Sequence, residues 1–251
     1  MIITRSLVGA LLLTLLAACA SNGGFDSAKA TAIGVGVLAA AALDENDVRQ
    51  AAALSAKELD SQNQLAPVNS AYQKRLNRIT AGLNGYDGLN LNFRVYLAQD
   101  VNAFAMADGT VRVYSGLLDT MPDDQVLAVV GHEIGHVKLK HSYRQMREQM
   151  LANSAFQAVA SVGGTIGQLT QSELGAIAYQ AVTARFSQKD ELEADVFAVK
   201  LLRNLNRDPN AMLRAIETLE SKYGSGGGFL SSHPSNKQRK NEIKKTIAAP
   251  G

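Results

Sequence analysis

Two histidines four residues apart, with a glutamate between them, constrain this chain of 251 residues more than any other feature: Gly131-His132-Glu133-Ile134-Gly135-His136. On a helix, positions four apart lie on one face, so His132 and His136 offer imidazole nitrogens to a common point. Such a pair suits one Zn²⁺. Glu133 stands beside the first ligand, where a carboxylate can take a proton from an attacking water. A hydrogen-bonded pair of core histidines is the bland alternative; the glutamate and the spacing weigh against it.

The flanks support a buried helix. Asp123 to Val130 leads into the motif and is strongly apolar. Thr120 and Asp123 read as a capping box, with Pro122 in the first turn. Lys138, Lys140 and His141 place cations where a helix ends. Apolar almost all round, this helix is expected to lie inside the protein, where two histidines and a glutamate need partners. His141, five residues past His136, is turned off the ligand face and reads as a surface or helix-end residue.

Catalytic zinc usually takes three protein ligands, so a third is needed. Ser187 to Asp195 opens a second apolar-periodic helix, with Ser187 and Asp190 as its capping box. Glu191 and Asp195 share a face of it. The acids also suit the positive end of the helix dipole, which accounts for Asp190 well and Asp195 less well. Glu193 is the rival acid, on a different face.

His132-Glu133-x-x-His136 followed by Glu191-x-x-Ala194-Asp195 resembles the M-forty-eight peptidase family, which includes the CAAX-prenyl, HtpX and Oma-type proteases. The resemblance implies Glu191 as third ligand and Asp195 as the residue that orients a ligand histidine. Asn102 to Leu117 resembles the family's "NAFA…G…V" hairpin, and Ser232-His233-Pro234 with Arg239 its H-P-x-x-x-x-R element. It covers roughly residues 45 to 245. It implies an α+β, mainly helical fold: a zincin domain of the gluzincin type, with a small antiparallel sheet beside the H-E-x-x-H helix. It also implies one Zn²⁺ per chain and hydrolysis of peptide bonds.

The amino-terminal end points to the cell envelope. Arg5 precedes an apolar run ending Leu16-Ala17-Ala18-Cys19, a secretory leader over residues 1–18 that is too short to span a membrane comfortably. Leu16 to Cys19 resembles a bacterial lipobox, which implies a lipid on Cys19; Ala20 then points to the outer membrane, facing the periplasm. Acyl chains on one residue hold a protein at a bilayer. An ordinary leader with an incidental Cys19 is the alternative. One cysteine excludes an intrachain disulfide, and a net charge of +2 implies no nucleic-acid partner.

Residues 19–44 read as lipidated cysteine, tether and apolar segment, and residues 45–251 as the peptidase domain. The segment over 31–43 is too short to span a bilayer; it is buried or lies on a membrane surface. Helical spacing covers Asp47 to Leu59, Ser70 to Leu83, Tyr143 to Val159, Gln171 to Arg185, a stretch opened by Asp208-Pro209, and Pro234 to Ile247. Alternation from Asn90 to Leu97, then Asn102 to Met106 and Thr110 to Tyr114 around Asp108-Gly109, predicts three strands. An extended substrate can add to the edge formed by Asn102, Ala103, Phe104, Ala105 and Met106, or this is simply a core strand. The glycine-rich run 161–167 is a linker or the hinge of a lid.

Glu133 is thus the expected general base. His233 is expected at the metal site, to stabilise an oxyanion or to cap the metal in a closed resting form, with Arg239 positioning it or the substrate. The expected activity is a zinc endopeptidase acting on misfolded or unfolded envelope proteins, with envelope-assembly proteins or other proteases as further partners. The alternative is a latent or non-proteolytic, chaperone-like lipoprotein that binds envelope proteins. Structural zinc sites fill their positions with Cys or His, which argues for catalysis here.

Overall fold

The computed structural model describes residues 43–153, 169–224 and 227–249. The expected leader, Cys19, the tether, nearly all of the apolar segment and the glycine-rich run lie outside these residues. Leu43, the last residue of the apolar segment, is buried. No helix among the described residues is long and apolar enough to cross a membrane.

Helix α1 (Glu45–Gln62) starts at a reciprocal capping box between Asp44 and Asp47. Helix α2 (Ala71–Ile79) starts at Ser70, whose hydroxyl accepts from the Gln73 N–H. Three strands follow: β1 (Asn92–Tyr96), β2 (Ala103–Ala105) and β3 (Thr110–Tyr114). They pair in the order β1-β3-β2. The β2–β3 hairpin is antiparallel, as Asp108-Gly109 demands, but β1 runs parallel to β3. The sheet is therefore mixed, which corrects the antiparallel expectation. A turn dipeptide fixes only the direction of the strands it joins; alternation in β1 says nothing of its direction.

Short α3 (Ser115–Thr120) leads to α4 (Asp123–Lys138), the motif helix. The expected Thr120–Asp123 capping box is absent: Thr120 still belongs to α3, and Pro122 takes the N-cap position without a side-chain bond. Asp123 and Asp124 answer the helix dipole instead. The remaining helices are α5 (His141–Ala152), α6 (Gln171–Thr183), α7 (Gln188–Asn204), α8 (Asn210–Tyr223) and α9 (Lys237–Ala248). The last begins at Lys237, three residues later than Pro234, because Asn236 is its N-cap and the Asn236 side chain accepts from the Arg239 N–H.

The sheet separates two apolar cores. Val95, Val111 and Val113 face α4, α7 and α8. Tyr96 and Phe104, on the other face, join α1, α5 and α6. Alternate side chains on a strand face opposite ways, so successive Val95 and Tyr96 each fill one core. α4 is buried along most of its length, as its apolar composition requires. It crosses α7 closely at Gly135, where a Cβ would lie 3.1 Å from the Ala194 Cα and 3.2 Å from its carbonyl oxygen. Glycine here brings the motif helix against the start of α7 and its acids.

Candidate metal centre

Helix α4 projects His132, Glu133 and His136 inward, each at most 1% exposed. Opposite them stands the first half of α7. Its N-cap Ser187 accepts from the Asp190 N–H at 3.2 Å, which anchors the helix start and sets Glu191 and Asp195 on the face toward α4. Four potential donor groups converge: His132, His136, Glu191 and His233. His132 Nε2 lies 3.0 Å from His136 Nε2 and 3.5 Å from Glu191 Oε2, while His136 Nε2 lies 3.4 Å from Glu191 Oε1.

The partners behind the histidines decide what this cluster is. His132 Nδ1 lies 2.9 Å from Asp195 Oδ1. A carboxylate only accepts, so Nδ1 carries the proton and Nε2 a lone pair. Arg239, fully buried, donates from Nε and Nη2 to the two Asp195 oxygens at 2.7 Å each. His136 Nδ1 lies 3.0 Å from His141 Nδ1, and His141 Nε2 lies 3.1 Å from Glu193 Oε2. With Glu193 as acceptor, His141 is protonated on Nε2 and receives the His136 proton on Nδ1. His136 Nε2 is then a lone pair too.

Two imidazole lone pairs facing each other across 3.0 Å repel unless a cation lies between them. The carboxylates speak to the same point. Glu191 Oε2 and Glu133 Oε1 are buried and accept no hydrogen bond, although Arg239 Nη1 is ion-paired to Glu191 at 2.6 Å. Its hydrogens go to the His233 and Pro234 carbonyls. Ligands at about 2.0–2.1 Å around a tetrahedral zinc stand roughly 3.3 Å apart. The spacings here match that, and the N/O donor set fits a divalent metal.

Electrostatics follow burial and partners. Burial keeps His132 and His136 neutral, His136 most strongly. Burial also raises the Glu133 carboxyl to about 7, in the range suited to a general base. Burial opposes ionisation of Glu191 and Asp195, yet His233 beside the first and Arg239 beside the second hold both below the usual carboxylate range. The charges of Glu191 and Glu133 overcome burial and raise His233.

His233 is central to the cluster. Its Nδ1 lies 2.9 Å from Glu191 Oε1 and 3.3 Å from His132 Nε2, and its Nε2 lies 3.4 Å from Glu133 Oε1. Phe229 stacks on it at 4.3 Å between ring centroids, and Phe186 stacks on His136 at 3.8 Å. Every residue of the cluster is enclosed. Asn102 is half-buried, and Ala103 to Met106 are buried. β2 is an edge strand of the sheet. Beyond it, Ala105 and Met106 face α5 and α6 across a gap of about 10 Å³, enough for roughly one water.

His141 lies at a helix end, as one expectation had it, but not at the surface: it opens α5 and is buried at 1% exposure. Helix α4 ends before it, and Lys140 takes a left-handed conformation (φ 59°), so α5 starts in a new direction with His141 turned back toward His136. Phe186 and Phe229 were missed as well; neither belongs to a motif.

Residues 70–247 match the model of Peptidase family M48. The chain belongs to this family. It is a metalloendopeptidase, and the cluster on α4 and α7 is its candidate metal site. It is 38% identical over 240 residues to Metalloprotease LoiP of Escherichia coli (strain K12), covering 95% of this chain and 94% of that one. It is also 38% identical to Metalloprotease YcaL of the same organism, covering 94% of this chain and 93% of that one. A putative beta-barrel assembly-enhancing protease of Vibrio cholerae is 30% identical, over 62% of this chain and 34% of its own length.

Proposed function

We propose that this protein is a zinc endopeptidase of the bacterial cell envelope that cleaves unfolded or misfolded envelope proteins. The carrying observation is the convergence of two histidine lone pairs, each fixed from behind, with the buried Glu191 carboxylate, whose Oε2 accepts no hydrogen bond. In this reading His132, His136 and Glu191 hold Zn²⁺. The bound ion supplies Lewis acidity, which polarises a carbonyl and acidifies water.

The chain's own groups do the rest. Glu133, unbonded at Oε1, takes the proton of the attacking water and returns it to the leaving amine. Asp195, clamped by Arg239, keeps His132 in its ligand tautomer. Substrate main chain adds along Asn102 to Met106, beside Glu133. That needs α5 and α6 to draw away from the β2 edge.

Enclosure of the cluster supports a closed resting form. His233 Nδ1 lies among the donor atoms, which favours its capping role over the oxyanion role, and Arg239 holds the loop through the His233 and Pro234 carbonyls. The envelope assignment rests on residues 1–18 and on a lipid at Cys19 that would place the domain at the outer membrane, facing the periplasm. The name of the Vibrio cholerae relative supports envelope-assembly partners.

Cleavage of an unfolded outer-membrane protein tests the reading. Activity should vanish with chelator and return with about one equivalent of Zn²⁺. Cleavage that survives complete metal removal would refute it.

A further inference from the structure

We propose that His141 is a positioning residue for the metal centre: through its Nδ1 it holds His136 in the tautomer whose Nε2 faces the ion. This rests on the metal-site reading above. The two ligand histidines of α4 are supported unequally. His132 leans directly on a carboxylate, with Asp195 Oδ1 at 2.9 Å from its Nδ1. His136 has no carboxylate behind it; among the described residues the partner of its Nδ1 is another imidazole, at 3.0 Å.

An imidazole can donate or accept, so by itself it fixes nothing. The far end of the relay decides the direction. His141 Nε2 faces Glu193 Oε2 at 3.1 Å and Asp190 Oδ1 at 3.4 Å. Both are acceptors, and Arg144 Nη2 holds Asp190 Oδ1 in place from 2.5 Å. Two carboxylates therefore keep a proton on His141 Nε2. That leaves Nδ1 as acceptor and directs the His136 Nδ1 proton toward it. The reversed relay would put a proton on His136 Nε2 and point it into the metal site. Glu193 thus helps orient His136 from the rim through His141.

The relay depends on local folding. His141 opens α5 directly after the left-handed Lys140, which brings a residue five positions on from His136 back onto its ring. A merely structural His141 would be replaceable by any residue of similar volume. A relay needs an acceptor toward His136 and a donor toward Glu193. Glutamine offers both from one amide.

The test measures Zn²⁺ affinity of the full chain by chelator competition, with the Co²⁺ absorption spectrum as a second readout. Thermal unfolding of the metal-free protein controls for fold. His141→Ala should weaken Zn²⁺ binding about 10–100-fold and perturb the Co²⁺ bands, and His141→Gln should restore most of both. Affinity unchanged in His141→Ala would overturn the proposal, as would equal losses in the Ala and Gln variants. If His141→Ala does not fold, the rim variant Glu193→Ala/Asp190→Ala should lower affinity while leaving His141 in place; unchanged affinity there also overturns it. Wild type that binds no Zn²⁺ would overturn the metal reading itself, whereas tight wild-type binding beside an indifferent His141→Ala removes the relay alone.

Discussion

Arg239 and Asp195, 44 residues apart, form a bidentate pair with both contacts at 2.7 Å and both side chains fully buried. The pair ties α9 to α7 immediately behind His132. Burying two charges is costly, and removing one partner leaves the other uncompensated. Asp195→Ala should therefore lose on the order of 3–5 kcal/mol of stability. Asp195→Asn, which keeps the shape, should bind Zn²⁺ about 10–100-fold more weakly through loss of the His132 acceptor charge. Zinc competition on the folded Asn variant checks this; wild-type affinity would show that His132 does not depend on Asp195.

Gly135 sets the distance between α4 and α7. Alanine usually gains about 1 kcal/mol over glycine in a helix. Here its methyl would press on the Ala194 backbone at 3.1–3.2 Å, where a helix rather than a flexible side chain must give. Overpacking of this kind costs about 1–3 kcal/mol. Gly135→Ala should lower the urea midpoint and weaken zinc binding together, because Glu191 moves with α7. A raised midpoint with unchanged zinc affinity would mean that the crossing has slack.

His233 is expected to restrain the resting enzyme. His233→Ala opens space beside Glu133 and removes one donor from the cluster. Cleavage of an unfolded protein should rise several-fold over wild type. A fall in kcat with KM unchanged would instead assign His233 to the transition state, the oxyanion role.

Acid stability should depend on Asp60. Its carboxylate takes both Arg112 donors at 2.8 Å and the Tyr96 hydroxyl at 2.7 Å. Partial burial raises its pKa, but the Arg112 hydrogen bonds win and hold it below the ordinary value. A carboxyl depressed on folding contributes stability above its unfolded pKa and loses it as pH falls through the folded value. Wild type should therefore exceed Asp60→Asn by on the order of 2 kcal/mol near neutrality, the difference shrinking below about pH 4. Urea midpoints across this range check it; a difference independent of pH would contradict it.

The α4 site was legible because four-residue spacing is a property of one helix. His132, His136, Glu191 and Asp195 each share a face with a neighbour in sequence, and the structure sets the two faces against each other. The hairpin around Gly109 was legible for the same local reason. What sequence spacing did not reveal was nonlocal or depended on a break. His141 returns to His136 only because the helix stops and Lys140 turns left-handed, whereas continuous helical geometry sends it away. β1 pairs directly and in parallel with β3, skipping β2 in sequence, and its alternation looks the same in either direction. Phe186 stacks on a histidine from a loop and Phe229 from a single 3₁₀ turn, neither of which carries periodicity.

The most direct measurement is a paired one on wild type and Glu133→Gln: bound zinc by elemental analysis, and cleavage of an unfolded outer-membrane protein. The glutamine keeps the shape of the side chain but cannot take a proton. The account predicts one zinc per chain in both proteins and a fall in cleavage of about 10²–10⁴-fold or more in the variant. Cleavage by Glu133→Gln at the wild-type rate, with zinc still bound, would contradict it.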